Sequence, residues 1–166
     1  MNLIERRRAL LGQAASGPLY AFPNGSYHAM NGVDRPLSQY DVVISNGNEV
    51  QFYKRWGDYA GDYTGLLSNW DPAPFSLFAG DTVRTVITKN SGTTGSGIRI
   101  TAGTSRNDYS NPLISMNLET NDTAEATVTI SKDMETPLFV VRPNANTMQR
   151  QFNFTVEIYV NGVRYI

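Results

Sequence analysis

The residues best suited to chemistry in this chain are gathered in one loop. Trp56-Gly57-Asp58-Tyr59-Ala60-Gly61-Asp62-Tyr63 sets aromatic rings beside carboxylates, and Trp70-Asp71 lies just downstream. An aromatic face stacks on the apolar face of a sugar ring, and a carboxylate accepts hydrogen bonds from its hydroxyls. Trp56, Asp58, Tyr59, Tyr63 and Trp70 are therefore the candidate ligand-binding residues. The competing reading makes Trp56 and Trp70 plugs for one end of the body, with the tyrosines packed on a neighbouring subunit.

Other chemistry-bearing residues point less far. Arg106-Asn107-Asp108-Tyr109 could hold a polar ligand, with Arg106 as donor and Tyr109 as platform, but it also suits a solvated turn. Asp34, Asp41, Asn46, Asn48 and Glu49 offer oxygen ligands for calcium, without the spacing of an EF-hand loop. Turns favour the same residue types, so no metal site is assigned. His28 is the single histidine. It has no nucleophile-elbow serine and no orienting acid near it in sequence, so it reads as a structural residue. Paired carboxylates for glycoside hydrolysis need one acid in an apolar pocket. Asp58 and Asp62 sit among glycines, where burial does not raise a carboxyl pKa. The chain reads as non-enzymatic, with no cofactor.

Composition narrows the classes further. The 166 residues fit one domain with a short appendage, and 40% hydrophobic residues suffice for one core. Net charge is −1, so no broad basic field is available for nucleic acid. With no cysteine, disulfides and thiolate metal sites are excluded. No apolar run is long enough to span a membrane as a helix. Arg6-Arg7-Arg8-Ala9-Leu10-Leu11 faintly echoes a twin-arginine export signal, but Gly12, Gln13, Ser16, Gly17 and Pro18 interrupt the apolar stretch such a signal needs.

The elements that must position these residues are mostly strands. Gln151–Val160 alternates without a break: Phe152, Phe154, Val156, Ile158 and Val160 on one side, Asn153, Thr155, Glu157 and Tyr159 on the other. That period of two marks a strand with one buried face. Asn161-Gly162 follows as a tight hairpin turn. Further strands are predicted at 19–22, 26–30, 40–45, 49–55, 82–89, 98–102, 112–118, 124–131 and 137–142. Val83, Thr85 and Ile87 share one face of the 82–89 strand. Ala79-Gly80-Asp81 reads as a turn, and 90–97 as a hairpin loop of Gly, Ser and Thr. Six strands in the second half, separated by turn residues, imply two packed antiparallel sheets. Residues 2–15 read as a helix, with Asn2 and Glu5 as a capping box and Gly17-Pro18 as its end. Its apolar stripe includes Leu3, Ile4, Leu10, Leu11, Ala14 and Ala15.

Two resemblances follow from these segments. Phe75-Ser76-Leu77-Phe78-Ala79-Gly80-Asp81-Thr82-Val83, Ala124–Ser131, Leu138-Phe139-Val140-Val141-Arg142-Pro143 and Phe152–Val160 resemble strands of the jelly-roll sandwiches found in carbohydrate-binding modules and phage tail appendages. The opening Asn2-Leu3-Ile4-Glu5-Arg6-Arg7-Arg8-Ala9-Leu10-Leu11 resembles the Arg-rich helix that begins many minor structural proteins of tailed phages. Together they imply an all-β, jelly-roll-like antiparallel sandwich with a short N-terminal helix. The helix, 1–17, would dock on other virion proteins through Leu3, Ile4, Arg6, Arg7, Arg8, Leu10 and Leu11. The sandwich, 18–166, would face outward in a homo-oligomeric head, neck or tail part. A glycan-binding adhesion module is the alternative.

Overall fold

The computed structural model describes residues 27–28, 34–35, 43–45, 48–54, 76–94, 97–104, 111–117, 119–135, 137–143 and 150–166. In chain order the strands are β1 (Tyr27–His28), β2 (Asp34–Arg35), β3 (Val43–Ser45), β4 (Glu49–Lys54), β5 (Thr82–Lys89), β6 (Gly97–Gly103), β7 (Asn111–Asn117), β8 (Thr123–Thr129), β9 (Leu138–Pro143), β10 (Arg150–Val160) and β11 (Val163–Arg164). The longer ones are rich in Val, Ile, Thr and aromatic residues, whose stiff side chains fit a pleated surface. Every pairing between these strands is antiparallel.

The principal sheet runs β3-β4-β10-β5-β8, with β11 also paired to β10. Its hub is β10, the longest strand. One side of β10 pairs with β5 from Phe154 to Val160. The other side is shared end to end: β4 covers Arg150–Thr155, and β11 covers Tyr159 and Val160. Between them the Val156 N–H donates to the Asn48 carbonyl at 3.0 Å, and the Ile158 N–H donates to the Ile166 carbonyl at 3.2 Å. The backbone of this central strand is thus satisfied along both edges, as a buried strand requires. The turn into β11 uses Asn161 at φ 50° and Gly162 at φ 82°. Positive φ at both central positions matches the right-handed twist of the flanking strands, and Asn-Gly tolerates it best.

A second sheet runs β7-β6-β9. The chain changes sheets between β5 and β6, β7 and β8, β8 and β9, and β9 and β10. In β7 the register slips: Ile100 faces Ile114 but Thr101 faces Pro112. The extra residue, Leu113, is a bulge, and both Leu113 and Ile114 are buried. The two sheets enclose one core. Val50, Val83, Ile87, Phe152, Phe154, Val156 and Ile158 enter it from the first sheet, and Ile98, Ile100, Ala102, Leu113, Met116 and Phe139 from the second. The described region is therefore an all-β, antiparallel sandwich. Full burial of Phe152 and Phe154 contributes roughly 2–3 kcal/mol for each ring.

The alternation read in 151–160 and 82–89 is present as expected: Val83, Thr85 and Ile87 are all buried, as are the even-numbered residues of β10 from 152 to 160. One expectation fails. Residues 90–97 do not close a hairpin, because β5 and β6 lie in different sheets. The local cause is on β10. Asn90 and Thr94 donate their N–H groups to the carbonyls of Asn153 and Gln151 at 2.9 and 2.8 Å. The segment after β5 stays beside β10, prolonging the β5 edge before the chain crosses over. Short β2 was not anticipated. The expected N-terminal helix and the 19–22 strand lie outside the described residues.

Candidate functional site on the outer sheet face

The alternation that buries one face of the first sheet arrays the other toward solvent. β5 contributes Arg84, Val86 and Thr88; β8 contributes Glu125 and Thr127; β10 contributes Asn153, Thr155, Glu157 and Tyr159; β11 contributes Arg164. Register brings them into rows. Arg164, Tyr159, Arg84 and Thr127 lie across four neighbouring strands, and Glu157, Val86 and Glu125 form the adjacent row.

Arg84 organises this surface. Its Nε and Nη2 donate to the two carboxylate oxygens of Glu125 at 2.7 and 2.8 Å. Such a planar fork on a carboxylate is the most directional ion pair available to a side chain. The same guanidinium lies 4.8 Å from the centroid of the Tyr159 ring, within cation–π range. The Tyr159 hydroxyl donates to Glu157 Oε2 at 2.6 Å, and Arg164 Nη2 stands 3.5 Å from Glu157 Oε1. Five side chains from four strands therefore form one chain of alternating charge around a tyrosine.

The electrostatics follow the geometry. The hydrogen bond from Arg84 holds the Glu125 carboxyl below its ordinary 4.5, against a smaller opposing effect of desolvation. Glu125 in turn raises the Arg84 pKa, chiefly through the same hydrogen bond. The hydrogen bond to Glu157 raises the Tyr159 phenol pKa above 10.0, with burial adding to it. Glu125 is thus fixed as an anion, the opposite of what a general acid requires.

A second network, mostly of amides and hydroxyls, adjoins this one beside β4. Asn90 Nδ2 donates to Asn153 Oδ1 and Thr155 Oγ1, both at 3.1 Å, and reaches Glu49 Oε1 at 3.4 Å. Thr93 Oγ1 donates to the Asn153 carbonyl at 2.6 Å, and the Asn153 side chain donates to the Ser91 carbonyl at 3.1 Å. Lys89 and Asp122 pair at the rim at 3.0 Å. The whole face carries amide, hydroxyl, carboxylate and guanidinium groups at fixed spacing, with Tyr159 as its ring.

Trp56, Asp58, Tyr59, Tyr63 and Trp70 lie outside the described residues, as do Arg106–Tyr109 and the assembly residues Leu3, Ile4, Arg6, Arg7, Arg8, Leu10 and Leu11. His28 pairs in register with Asp34 between β1 and β2. Of the calcium candidates, Asn48 is the turn residue before β4 and Glu49 opens that strand, while Asp41 and Asn46 lie outside the described residues. Among the described residues no group of three or more His, Asp or Glu side chains is placed to hold a metal. The Arg84–Glu125–Tyr159–Glu157 array was missed by residue-type reasoning. Its one signal was a tyrosine and a glutamate side by side on the wet face of the longest alternating segment.

No protein-family model matches this chain, and no curated protein matches it. Among solved structures it is similar to a mutant of a carbohydrate binding module family 29, with a TM-score of 0.44 and 14% identity over 88% of this chain and 91% of that one. A likeness of that degree carries no weight about the ligand of this chain. The described residues form two antiparallel sheets around one core, with an ordered polar face on the larger sheet.

Proposed function

We propose that this chain is a non-enzymatic recognition module that binds an uncharged glycan on the outer face of its larger sheet. The observation that supports this is the pairing of both arginines on that face. Arg84 is bound to Glu125 and Arg164 faces Glu157, so neither is an open site for a phosphate or carboxylate. What the described side chains of this face offer instead is hydrogen-bonding edges held in place around the Tyr159 ring. That combination suits hydroxyl-rich ligands, whose ring faces are apolar and whose edges donate and accept. The aromatic loop residues Trp56, Asp58, Tyr59, Tyr63 and Trp70 extend the proposal from sequence alone. We read the strand order, β4-β10-β5-β8 opposite β9-β6-β7, as the path of a jelly roll. The deciding experiment is binding of neutral and acidic oligosaccharides to the wild type and to Tyr159→Ala. Neutral ligands should bind, with an affinity indifferent to salt and lost in the variant. Binding confined to acidic glycans and abolished by salt would refute the reading.

The N-terminal segment favours a second role that is compatible with the first. Read as a helix from sequence, residues 2–15 would set Leu3, Ile4, Leu10 and Leu11 in an apolar stripe beside Arg6, Arg7 and Arg8, and a helix this short would be marginal alone in water. We propose that it gains order by docking on another virion protein, fixing repeated copies of the sandwich to a phage particle. Deleting residues 1–17 should leave a folded sandwich that no longer joins the particle; a truncated protein that still incorporates would overturn this.

A further inference from the structure

The turn between β10 and β11 is Asn161-Gly162. An asparagine followed by glycine is chemically labile, because glycine has no side chain to hinder its own backbone nitrogen. The Gly162 nitrogen can attack Asn161 Cγ. A C–N bond forms, the Cγ–Nδ2 bond breaks, and ammonia leaves with the proton of the attacking nitrogen. Water then opens the five-membered imide at either carbonyl, giving aspartate or isoaspartate.

In the folded chain this amide is engaged from every side. The Asn161 N–H donates to the Thr82 carbonyl at 2.9 Å. Its Oδ1 accepts from the Thr82 N–H at 3.0 Å and from Thr82 Oγ1 at 3.2 Å. Its Nδ2 donates to Asp81 Oδ1 at 2.8 Å. These bonds commit the side chain sideways to the start of β5, and φ of 50° fixes the backbone beneath it. We infer that Asn161 is a fold-protected deamidation site: closed while β10 and β11 are docked on β5, open once that hairpin detaches.

Conversion would act in one direction. Asp81 is only 3% exposed, and its Oδ2 accepts from the Phe78 N–H at 2.8 Å. Its Oδ1 accepts from the Asn161 amide at 2.8 Å. An aspartate at 161 removes that donor and sets a second carboxylate against the first. Isoaspartate adds a backbone carbon to a two-residue turn whose geometry sets the register of β11. A chain that has opened and reacted is thereby hindered from closing again.

The test compares the full chain in native buffer and in urea under mildly alkaline conditions, with peptide mapping of deamidation at each asparagine. Asn24, Asn31 and Asn46 also precede glycine and calibrate the unfolded chain. In urea the four sites should react at similar rates. In the native protein Asn161 should be slowed more than about tenfold, the protection that an opening free energy of about 1.4 kcal/mol already provides. Equal rates at Asn161 in the two conditions would overturn the inference. A second arm uses Asn161→Asp, which should lower the urea midpoint, and Asp81→Asn in the same background, which returns a donor to the pair and should recover part of the loss. An unchanged midpoint in Asn161→Asp, or no recovery in the double variant, would equally overturn it.

Discussion

The guanidinium of Arg84 and the ring of Tyr159 face each other across directly paired positions of β5 and β10, 4.8 Å apart. Because Arg84 also grips Glu125 on β8, one side chain couples three adjacent strands on the solvent side of the sheet. The pair sits on the wet side of a sheet whose other side already supplies the core. Its contribution therefore belongs more to the shape of the surface than to the stability of the fold.

Arg84→Ala separates those two contributions. The ion pair is exposed, with side-chain exposures of 42% and 50%, so its loss should leave the urea midpoint nearly unchanged. Glycan affinity should fall clearly, because Tyr159 loses its stacked partner and Glu125 its orientation. Urea unfolding and a binding isotherm on the same preparation check both halves.

Acid should weaken the same pair in a defined direction. The Glu125 carboxyl titrates below 4.5 in the folded chain, so near that pH the unfolded chain binds more protons than the native one. Stability from this group is fully present above its unfolded pKa and fades as pH falls through the lowered folded value. Glu125→Gln should flatten that part of the stability–pH curve, measured by denaturant midpoints across the acid range.

Alkali acts through Tyr165, whose phenol is pushed up to about 12, first by burial and then by the charge of Asp81. In the unfolded chain it ionises near 10.0, so above that pH the native state holds the extra proton. Its contribution is complete below 10.0 and is lost as pH rises through about 12. Tyr165→Phe should retain more stability than wild type at the top of this range, as read by denaturant unfolding.

Thr85 provides a test in the core. It is fully buried between Val83 and Ile87, and its hydroxyl has no hydrogen-bond partner among the described residues. Valine has nearly the same shape without the unsatisfied oxygen, so Thr85→Val should raise unfolding free energy by about 1 kcal/mol. Thermal or urea unfolding measures the gain.

Strands with one apolar side were legible because their period is local: Val83 and Ile87 announce β5, and Phe152 through Val160 announce β10. Which strand lies beside which was not. The Gly-Ser-Thr stretch after Lys89 looks like a hairpin because nothing in it reveals that β5 pairs with β10, some sixty residues on. The candidate face escaped for the same reason. Arg84, Glu125 and Tyr159 are unremarkable polar residues in three separate segments, and only non-local register gathers them. Asp81 read as a turn residue, which it is. Its burial under Asn161, eighty positions later, depends on two turns meeting at one end of the sheet.

The placement of β10 has a consequence for synthesis. β4 and β5 share no ladder with each other; each leans on β10, which is translated last of the long strands. Until β10 is made, β4 has only the short β3 beside it and β5 only β8, so one edge of each stays unpaired and the core lacks Phe152 and Phe154. Joining β4 to β5 therefore waits on contacts far apart in sequence, the kind whose loop-closure cost slows the completion of a sheet.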